Sequence, residues 1–122
     1  QALPAVEIVP GNEIYDYESK YTAGMSQYLV PAPLEPEQAS RLAEIAVQVQ
    51  HTLRLGSYGR IDFRLDERDG SFSCLEANSL PGLTATSLVP KSAGAAGISF
   101  PELCERIALS AVRGQSAAAA RA

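Results

Sequence analysis

Four polar side chains, Arg60, Asp62, Glu76 and Asn78, lie in two segments whose composition predicts paired strands. Within each segment one residue separates the two polar residues, so strand geometry directs both toward one face. A hairpin would bring the two pairs side by side on that face. Two carboxylates and an amide oxygen form an all-oxygen ligand set, which suits Mg²⁺. Glu76 lies between the other two ligands and is the candidate to bridge two ions, while Arg60 could hold phosphate oxygens.

The same alternation also fits a solvated sheet face that carries an ordinary Arg–Asp ion pair. From the strand pattern alone, both interpretations stay open. The loop that follows Asn78 favours a ligand site over a solvated sheet face. Pro81 and Gly82 form a tight turn in which Gly82 lets the backbone approach a ligand closely. Three hydroxyl groups then precede a predicted helix N-terminus, those of Thr84, Thr86 and Ser87. Carboxylates bind readily at a helix N-terminus, although the ordinary role of such hydroxyl groups is to cap the helix.

The elements that position these residues follow from periodicity. Residues 58–66 and 71–78 are predicted to form a hairpin around the Asp-Gly turn signal at residues 69–70. Helices are predicted over residues 37–55, over residues 88–96 and from the Ser-Phe-Pro-Glu sequence at 99–102 to about Val112. Gly114 is expected to end the last helix, so the proposed organisation is a catalytic region at 1–114 and an alanine-rich tail at 115–122. The helix face at Phe100, Leu103, Ile107 and Ala111 is expected to be buried.

The N-terminal part gives weaker signals. Residues 3–9 are apolar and bounded by prolines, which predicts a short strand, and Tyr15–Tyr17 could end a second one. Residues 18–33 show neither helical nor strand periodicity and are predicted to form a long loop of the kind that is often functional. The only histidine, His51, lies on the first helix away from every motif, so it is expected to be a surface residue rather than a base.

Composition excludes several classes of protein. With 46% hydrophobic and 20% charged residues, the 122-residue chain is typical of one globular domain. The net charge of −4 and the absence of a basic run make nucleic-acid binding an unlikely function, and no apolar stretch is long enough for a membrane span. Cys74 and Cys104 lack metal-binding spacing and are expected to be buried and reduced, which suggests a cytoplasmic protein. The missing initial Met suggests a chain cut from something longer.

Several segments, taken in order, resemble the active-site signature of D-alanine–D-alanine ligases of the ATP-grasp type. They are residues 59–63 (GRIDF), 75–84 (LEANSLPGLT) and 87–90 (SLVP). Residues 15–21 (YDYESKY) resemble the same family's Tyr-Asp-Tyr-x-x-Lys-Tyr segment, and residues 97–103 (GISFPEL) fit as well. A Glu-x-Asn sequence alone occurs in many ATP-grasp enzymes, whereas the ordered set is specific. The implied fold is α+β: the C-terminal portion of an ATP-grasp fold, with a mostly antiparallel sheet and flanking helices.

The resemblance implies a role for each strand residue. Asp62 would bind one Mg²⁺ ion (or Mn²⁺), Asn78 the other, and Glu76 would bridge them. Arg60 and the Gly82 amide would stabilise a tetrahedral intermediate. Magnesium and Arg60 suit a reaction in which negative charge develops on oxygen.

The resemblance also implies substrate contacts. Ser87 and the Leu88 amide would hold the carboxylate of the second D-alanine. Lys20 would reach the ATP γ-phosphate, and Tyr21 would close over the substrate site. In the implied reaction a D-alanine carboxylate attacks the γ-phosphate to give an acyl phosphate, and the amine of the second D-alanine displaces the phosphate.

A ligase of this kind would also have an N-terminal substrate domain and a central ATP-clamping domain with a glycine-rich loop, which this sequence lacks. The chain is therefore expected to be an inactive fragment that needs this missing part, with D-alanine and ATP as partners and a homodimer as the complete enzyme. Two alternatives remain. One is a related ATP-grasp ligase that uses D-serine or D-lactate. The other is a non-catalytic module that keeps the fold and binds a partner.

Overall fold

The computed structural model of the chain describes residues 1–10 and 26–119. Two antiparallel two-stranded sheets and three helices make up these residues, which confirms the predicted α+β class. In chain order the elements are β1 (Glu7–Pro10), β2 (Ser26–Leu29), α1 (Pro36–Thr52), β3 (Arg60–Asp66), β4 (Ser71–Asn78), α2 (Leu88–Ala95) and α3 (Phe100–Ala119).

The predicted hairpin is present as β3 and β4, and its tight turn sets where the two strands begin to pair. Gly70 adopts a φ of 70° and donates its N–H to the Asp66 carbonyl at 2.8 Å. Asp66 also accepts hydrogen bonds from the Arg68 backbone and guanidinium at 2.6 to 3.0 Å. The Arg68 guanidinium holds the pKa of Asp66 below its ordinary value. Asp66 and Ser71 are therefore fixed as the first pair of the ladder.

Helix α1 packs across both strands of this hairpin. It begins at Pro36, where the Glu35 N–H donates to Gln38 Oε1 at 3.2 Å. It ends at Thr52 rather than at the predicted residue 55, because Arg54 takes a positive φ of 52° that a helix cannot continue. His51 is exposed on this helix, as predicted. Apolar residues recur at helical spacing along α1 and are half-buried, namely Leu42, Ile45, Ala46 and Val49, whereas Leu53, just past the end of the helix, is exposed.

The N-terminal prediction was partly wrong. Strand β1 begins later than residue 3, and residues 26–29 form strand β2 inside the segment predicted to be a loop. Pairing with β1, from Glu7 opposite Leu29 to Pro10 opposite Ser26, supplies the backbone hydrogen bonds that the local sequence pattern does not indicate. The predicted strand at Tyr15–Tyr17 lies outside the described residues.

A small core holds helices α2 and α3 together. Its buried members are Ala93, Ile98 and Leu103, with Leu3 and Leu83 among the partly buried residues packed against them. Gly97, at a φ of 77°, separates the two helices close to the predicted boundary. This core ties the N-terminal segment and the loop after β4 to the C-terminal helices.

Several predictions for helix α3 were wrong. The helix does not end at Gly114 but continues to Ala119, because alanine is the strongest helix former and a single glycine costs only about 1 kcal/mol. Leu103 is buried and Ile107 partly so, whereas Phe100 and Ala111 are exposed. The capping box is half formed: the Glu102 N–H donates to Ser99 Oγ, but the Glu102 carboxylate binds the guanidinium of the residue one turn later, Arg106.

The predicted burial of the two cysteines was also wrong, since Cys74 is exposed and Cys104 is only half-buried, although both are free thiols. Large exposed apolar side chains occur on several elements, including Leu29, Leu80, Leu109 and Val112. No helix within residues 1–10 and 26–119 is both long and apolar enough to cross a membrane.

Gly59 lies just before strand β3, in close contact with the end of helix α1. A Cβ atom there would lie 2.5 Å from Gln50 Oε1 and 3.2 Å from the Asn78 carbonyl oxygen. We therefore expect Gly59→Ala to lower the free energy of unfolding by about 1 to 2 kcal/mol, because the Gln50 side chain must move and lose its bond to Gly56. Urea denaturation followed by circular dichroism measures the change.

Gly94→Ala is the matched control. A Cβ atom at Gly94 meets nothing within 4 Å, and the residue lies inside helix α2. Alanine should be neutral or stabilising there by up to about 1 kcal/mol. Equal effects at the two glycines would contradict the close approach at Gly59.

Candidate active site

The four polar residues singled out in the sequence lie opposite one another in the hairpin. Arg60 pairs with Asn78, and Asp62 pairs with Glu76. Directly opposed residues of an antiparallel pair point to the same face. The structure therefore brings the four side chains to one face, as the strand pattern predicted.

A β-bulge at Leu75 produces this arrangement. From the turn to the Phe63–Cys74 pair, the register is regular; Asp62 then pairs with Glu76, and Leu75 has no partner in the ladder. Without the extra residue, the turn register would place Leu75 opposite Asp62 and would send Glu76 to the other face. Leu75 is 64% exposed, so the bulge gains no burial there. Simple alternation thus predicted the right face but omitted the irregularity that the face requires.

Arg60 bridges the two carboxylates. Its Nε donates to Asp62 Oδ1 at 2.7 Å and its Nη2 to Asp62 Oδ2 at 3.0 Å, a bidentate pair. The same Nη2 donates to Glu76 Oε1 at 3.3 Å. The side chains of Arg60 and Asp62 are only 24% and 21% exposed, whereas that of Glu76 is 51% exposed. One delocalised cation therefore lies between two carboxylates that would otherwise repel each other.

Asn78 completes the oxygen set and also starts the following loop. Its Oδ1 accepts the Leu80 N–H at 2.9 Å, which fixes the orientation of the amide. An amide oxygen has two lone pairs, so this bond leaves one acceptor position for another partner. Among the residues that the structure describes, no group of three His, Cys, Asp or Glu side chains is close enough to hold a metal ion. A metal site here must therefore use the amide oxygen beside the two carboxylates.

The loop between β4 and α2 brings Gly82 against Ser87. A Cβ atom at Gly82 would lie 3.0 Å from Ser87 Oγ, so any larger residue would displace that hydroxyl. Ser87 precedes helix α2 but makes no capping bond with its side chain. Its Oγ instead lies 2.7 Å from Thr84 Oγ1 and accepts the Thr84 N–H at 3.1 Å. A backbone amide, a hydroxyl and a helix N-terminus at Leu88 therefore meet in one small region, which suits a carboxylate or another oxyanion.

Two predicted site residues, Lys20 and Tyr21, lie outside the described residues. The residues on either side of that segment are close to each other, because Pro10 pairs with Ser26 across β1 and β2. Sequence reasoning missed two contacts of the loop: the Thr84–Ser87 hydroxyl pair and a bond from the Tyr58 hydroxyl to the Pro81 carbonyl at 3.2 Å. Nothing in the strand or helix periodicity points to Tyr58, which lies just before β3.

Comparison with known proteins identifies one family. A family model described as "D-ala D-ala ligase C-terminus" matches residues 1–108. The D-alanine–D-alanine ligase of Anaeromyxobacter sp. (strain Fw109-5) is 50% identical over 107 residues, which are 88% of this chain and 34% of that protein. The chain thus spans about a third of the length of the curated relatives it matches.

Solved structures agree with this match. A D-alanine–D-alanine ligase from Bacillus anthracis complexed with ATP superposes with a TM-score of 0.74 at 30% identity, over 93% of this chain and 37% of that one. A D-Ala:D-Ser ligase from Enterococcus faecalis gives a TM-score of 0.73 at 28% identity, over 86% of this chain and 30% of that one. The resemblance seen in the sequence and the predicted ATP-grasp fold are confirmed.

The position of Arg60 between two carboxylates makes a prediction about stability. Arg60→Gln should lower the free energy of unfolding by about 1 to 2 kcal/mol, because it removes the guanidinium that binds both the Asp62 and the Glu76 carboxylate. Adding Glu76→Gln should recover part of the loss, and so should millimolar Mn²⁺. Thermal unfolding with and without Mn²⁺ measures both effects.

Arg68→Gln is the matched control, since it removes a similar Arg–Asp pair from the exposed turn of the same hairpin. It should lower the free energy of unfolding less than Arg60→Gln does, because exposed ion pairs contribute little, and should show no response to Mn²⁺. Equal losses for the two arginine variants, with no rescue of Arg60→Gln, would contradict the shared role of Arg60.

Proposed function

Since the chain belongs to the family of D-alanine–D-alanine ligase C-terminal regions, we propose that it supplies the catalytic hairpin and substrate loop of such a ligase. The reaction is the ATP-dependent joining of two D-alanines for peptidoglycan precursor synthesis. A carboxyl group is activated as an acyl phosphate, and an amine then displaces the phosphate. The observation that carries the proposal is that Asp62 and Glu76 are paired across the hairpin and both bind the Arg60 guanidinium. The loop in which Gly82 meets Ser87 follows the same hairpin.

The oxygen set on the hairpin fits a magnesium site. Asp62 and Glu76 already share one cationic group, Arg60, and Asn78 adds an oriented amide oxygen. Such hard oxygen ligands suit Mg²⁺ or Mn²⁺. We infer that Asp62 would hold one ion and Asn78 a second, with Glu76 bridging them. When bound, the ions would neutralise charge on the phosphate groups of ATP.

Arg60 and the loop would act on the reacting oxygens. The Arg60 guanidinium, with its fork of donors, would bind phosphate oxygens and stabilise the tetrahedral intermediate. The Gly82 N–H would donate to the oxyanion of the tetrahedral intermediate, since it is exposed at the start of the loop. Ser87 Oγ and the Leu88 N–H would bind the carboxylate of the second substrate at the N-terminus of α2.

ATP is the nucleotide that the resemblance implies, and one similar structure, from Bacillus anthracis, was solved with ATP. Lys20 would reach its γ-phosphate, and Tyr21 would close over the substrates. Adenine contacts are proposed to come from parts of the ligase that these 122 residues do not contain, since the chain spans about a third of its relatives. We also propose that the complete ligase is a homodimer.

A related ligase that uses D-serine is the second candidate. The similar fold of the D-Ala:D-Ser ligase from Enterococcus faecalis supports it, at 28% identity. The 50% identity to a D-alanine–D-alanine ligase favours D-alanine as the second substrate. A non-catalytic binding module is disfavoured, because it would have no need of the bulge that brings Glu76 opposite Asp62.

Ligase activity tests the proposal directly. The native polypeptide that contains these 122 residues should form D-alanyl-D-alanine and release phosphate from ATP when supplied with D-alanine and Mg²⁺. The 122-residue chain alone should not. Parallel reactions with D-serine and D-lactate identify the second substrate. Absence of any dipeptide or depsipeptide product from a folded native polypeptide would contradict the proposed function.

Single-atom changes at the ligands test the metal assignment. Glu76→Gln should lower kcat at least about 100-fold, because the amide loses the charge needed to bridge two cations. Asn78→Asp should keep kcat within about tenfold, because an oxygen ligand remains at the same position. Activity is measured over a Mg²⁺ titration in the native polypeptide.

Glu67→Gln, in the exposed turn of the same hairpin, is the charge-matched control and should leave kcat unchanged. If Glu76→Gln behaved like this control, the metal assignment would be wrong, even with the ligase activity intact.

A further inference from the structure

Tyr58 makes one polar contact that no step described above uses. Its hydroxyl donates to the Pro81 carbonyl oxygen at 3.2 Å, across 23 positions of the sequence and in a partly buried setting. Tyr58 lies just before β3, and Pro81 lies in the loop after β4. The bond therefore ties the entrance of one strand to the exit of the other.

The Pro81 carbonyl and the Gly82 N–H belong to the same peptide group. In a planar trans peptide the C=O and N–H bonds point in opposite directions, so fixing one fixes the other. Pro81 is buried and Gly82 is exposed, which agrees with a carbonyl directed inward and an N–H directed outward. Over the described part of the chain, the Gly82 N–H donates to no protein acceptor. Its direction therefore depends on what holds the carbonyl.

Tyr58 and the residue after Gly82 both lie beside the small core. Tyr58 lines a cavity with Ile98 and Leu103, two of the three buried core residues. Leu83, directly after Gly82, packs against the same core. The loop is thus fixed on both sides of Gly82, by the Tyr58 bond before it and by Leu83 after it.

We infer that Tyr58 is a positioning residue: its hydroxyl orients the Pro81–Gly82 peptide so that the Gly82 N–H stays aimed at the oxyanion formed during ligation. This inference rests on the proposed function. Oriented backbone donors stabilise a developing oxyanion because they need no reorganisation during the reaction. A hydrogen bond accepted by the carbonyl also polarises the N–H of the same peptide and strengthens it as a donor.

Tyr58→Phe in the native polypeptide tests the inference, since it removes the hydroxyl and keeps the ring. The expected result is a fall in kcat of about three- to tenfold, as for the loss of one neutral hydrogen bond, with the KM for D-alanine unchanged. A KM that stays constant while kcat falls indicates an interaction that matters only in the transition state. A kcat within about twofold of the native value would overturn the inference.

Leu103→Val is the matched control, because it loosens the same core without touching the peptide group. It should lower the melting temperature at least as much as Tyr58→Phe while leaving kcat unchanged. If Leu103→Val lowered kcat equally, the role of Tyr58 would be packing alone, and the inference would fail.

A second readout does not depend on catalysis. In the 122-residue chain, Tyr58→Phe should move the Gly82 amide ¹⁵N resonance upfield, because its carbonyl partner loses a hydrogen bond, while Gly94 stays unchanged. An unmoved Gly82 resonance would overturn the inference whatever the kinetics show. If the unaltered native polypeptide made no dipeptide, the proposed function would fail, and with it the catalytic meaning of the Tyr58 bond, even if the resonance moved.

Discussion

The register of one hairpin determines the geometry of the candidate site. The Asp66–Gly70 turn sets the register of the first pairs, and the bulge at Leu75 changes it by one residue before the polar pairs begin. Because side chains alternate between faces, that single residue decides whether Glu76 joins Asp62 or lies behind the sheet. The bulge leaves Leu75 exposed and brings Glu76 opposite Asp62.

Bringing two carboxylates together creates the need for a cation, and Arg60 meets it in this structure. The guanidinium takes both oxygens of Asp62 and one of Glu76. Its bidentate geometry explains why lysine, a compact point charge, would be a poor replacement. On the proposed function, Asp62 and Glu76 would hold metal ions that neutralise phosphate charge, and Arg60 would bind the reacting oxygens. The Arg60 side chain would thus both reduce the repulsion between the two carboxylates and take part in catalysis.

Much of this arrangement could be predicted from the sequence, because the strongest signals are local. The Asp-Gly turn signal and the periodicity of α1 predicted the hairpin and its covering helix, and the spacing of Arg60, Asp62, Glu76 and Asn78 predicted a shared face. The prediction of a shared face was correct only because of the bulge, and no residue pattern in β4 predicts that bulge. Strand β2 forms because it pairs with β1, although its own segment shows no strand periodicity. The high helix propensity of alanine explains why α3 continues past Gly114. The Tyr58–Pro81 bond spans distant residues, so only the folded chain reveals it.

The proposed function requires that Asp62 and Glu76 share metal ions, whereas Arg60 binds both carboxylates in this structure. Anomalous diffraction from crystals of the native polypeptide grown with Mn²⁺ and ADP tests it most directly. We predict an anomalous peak within about 2.2 Å of carboxylate oxygens of both Asp62 and Glu76, with the Arg60 guanidinium turned away from at least one of them. A Mn²⁺ peak elsewhere, with Arg60 still bonded to both carboxylates, would contradict the account.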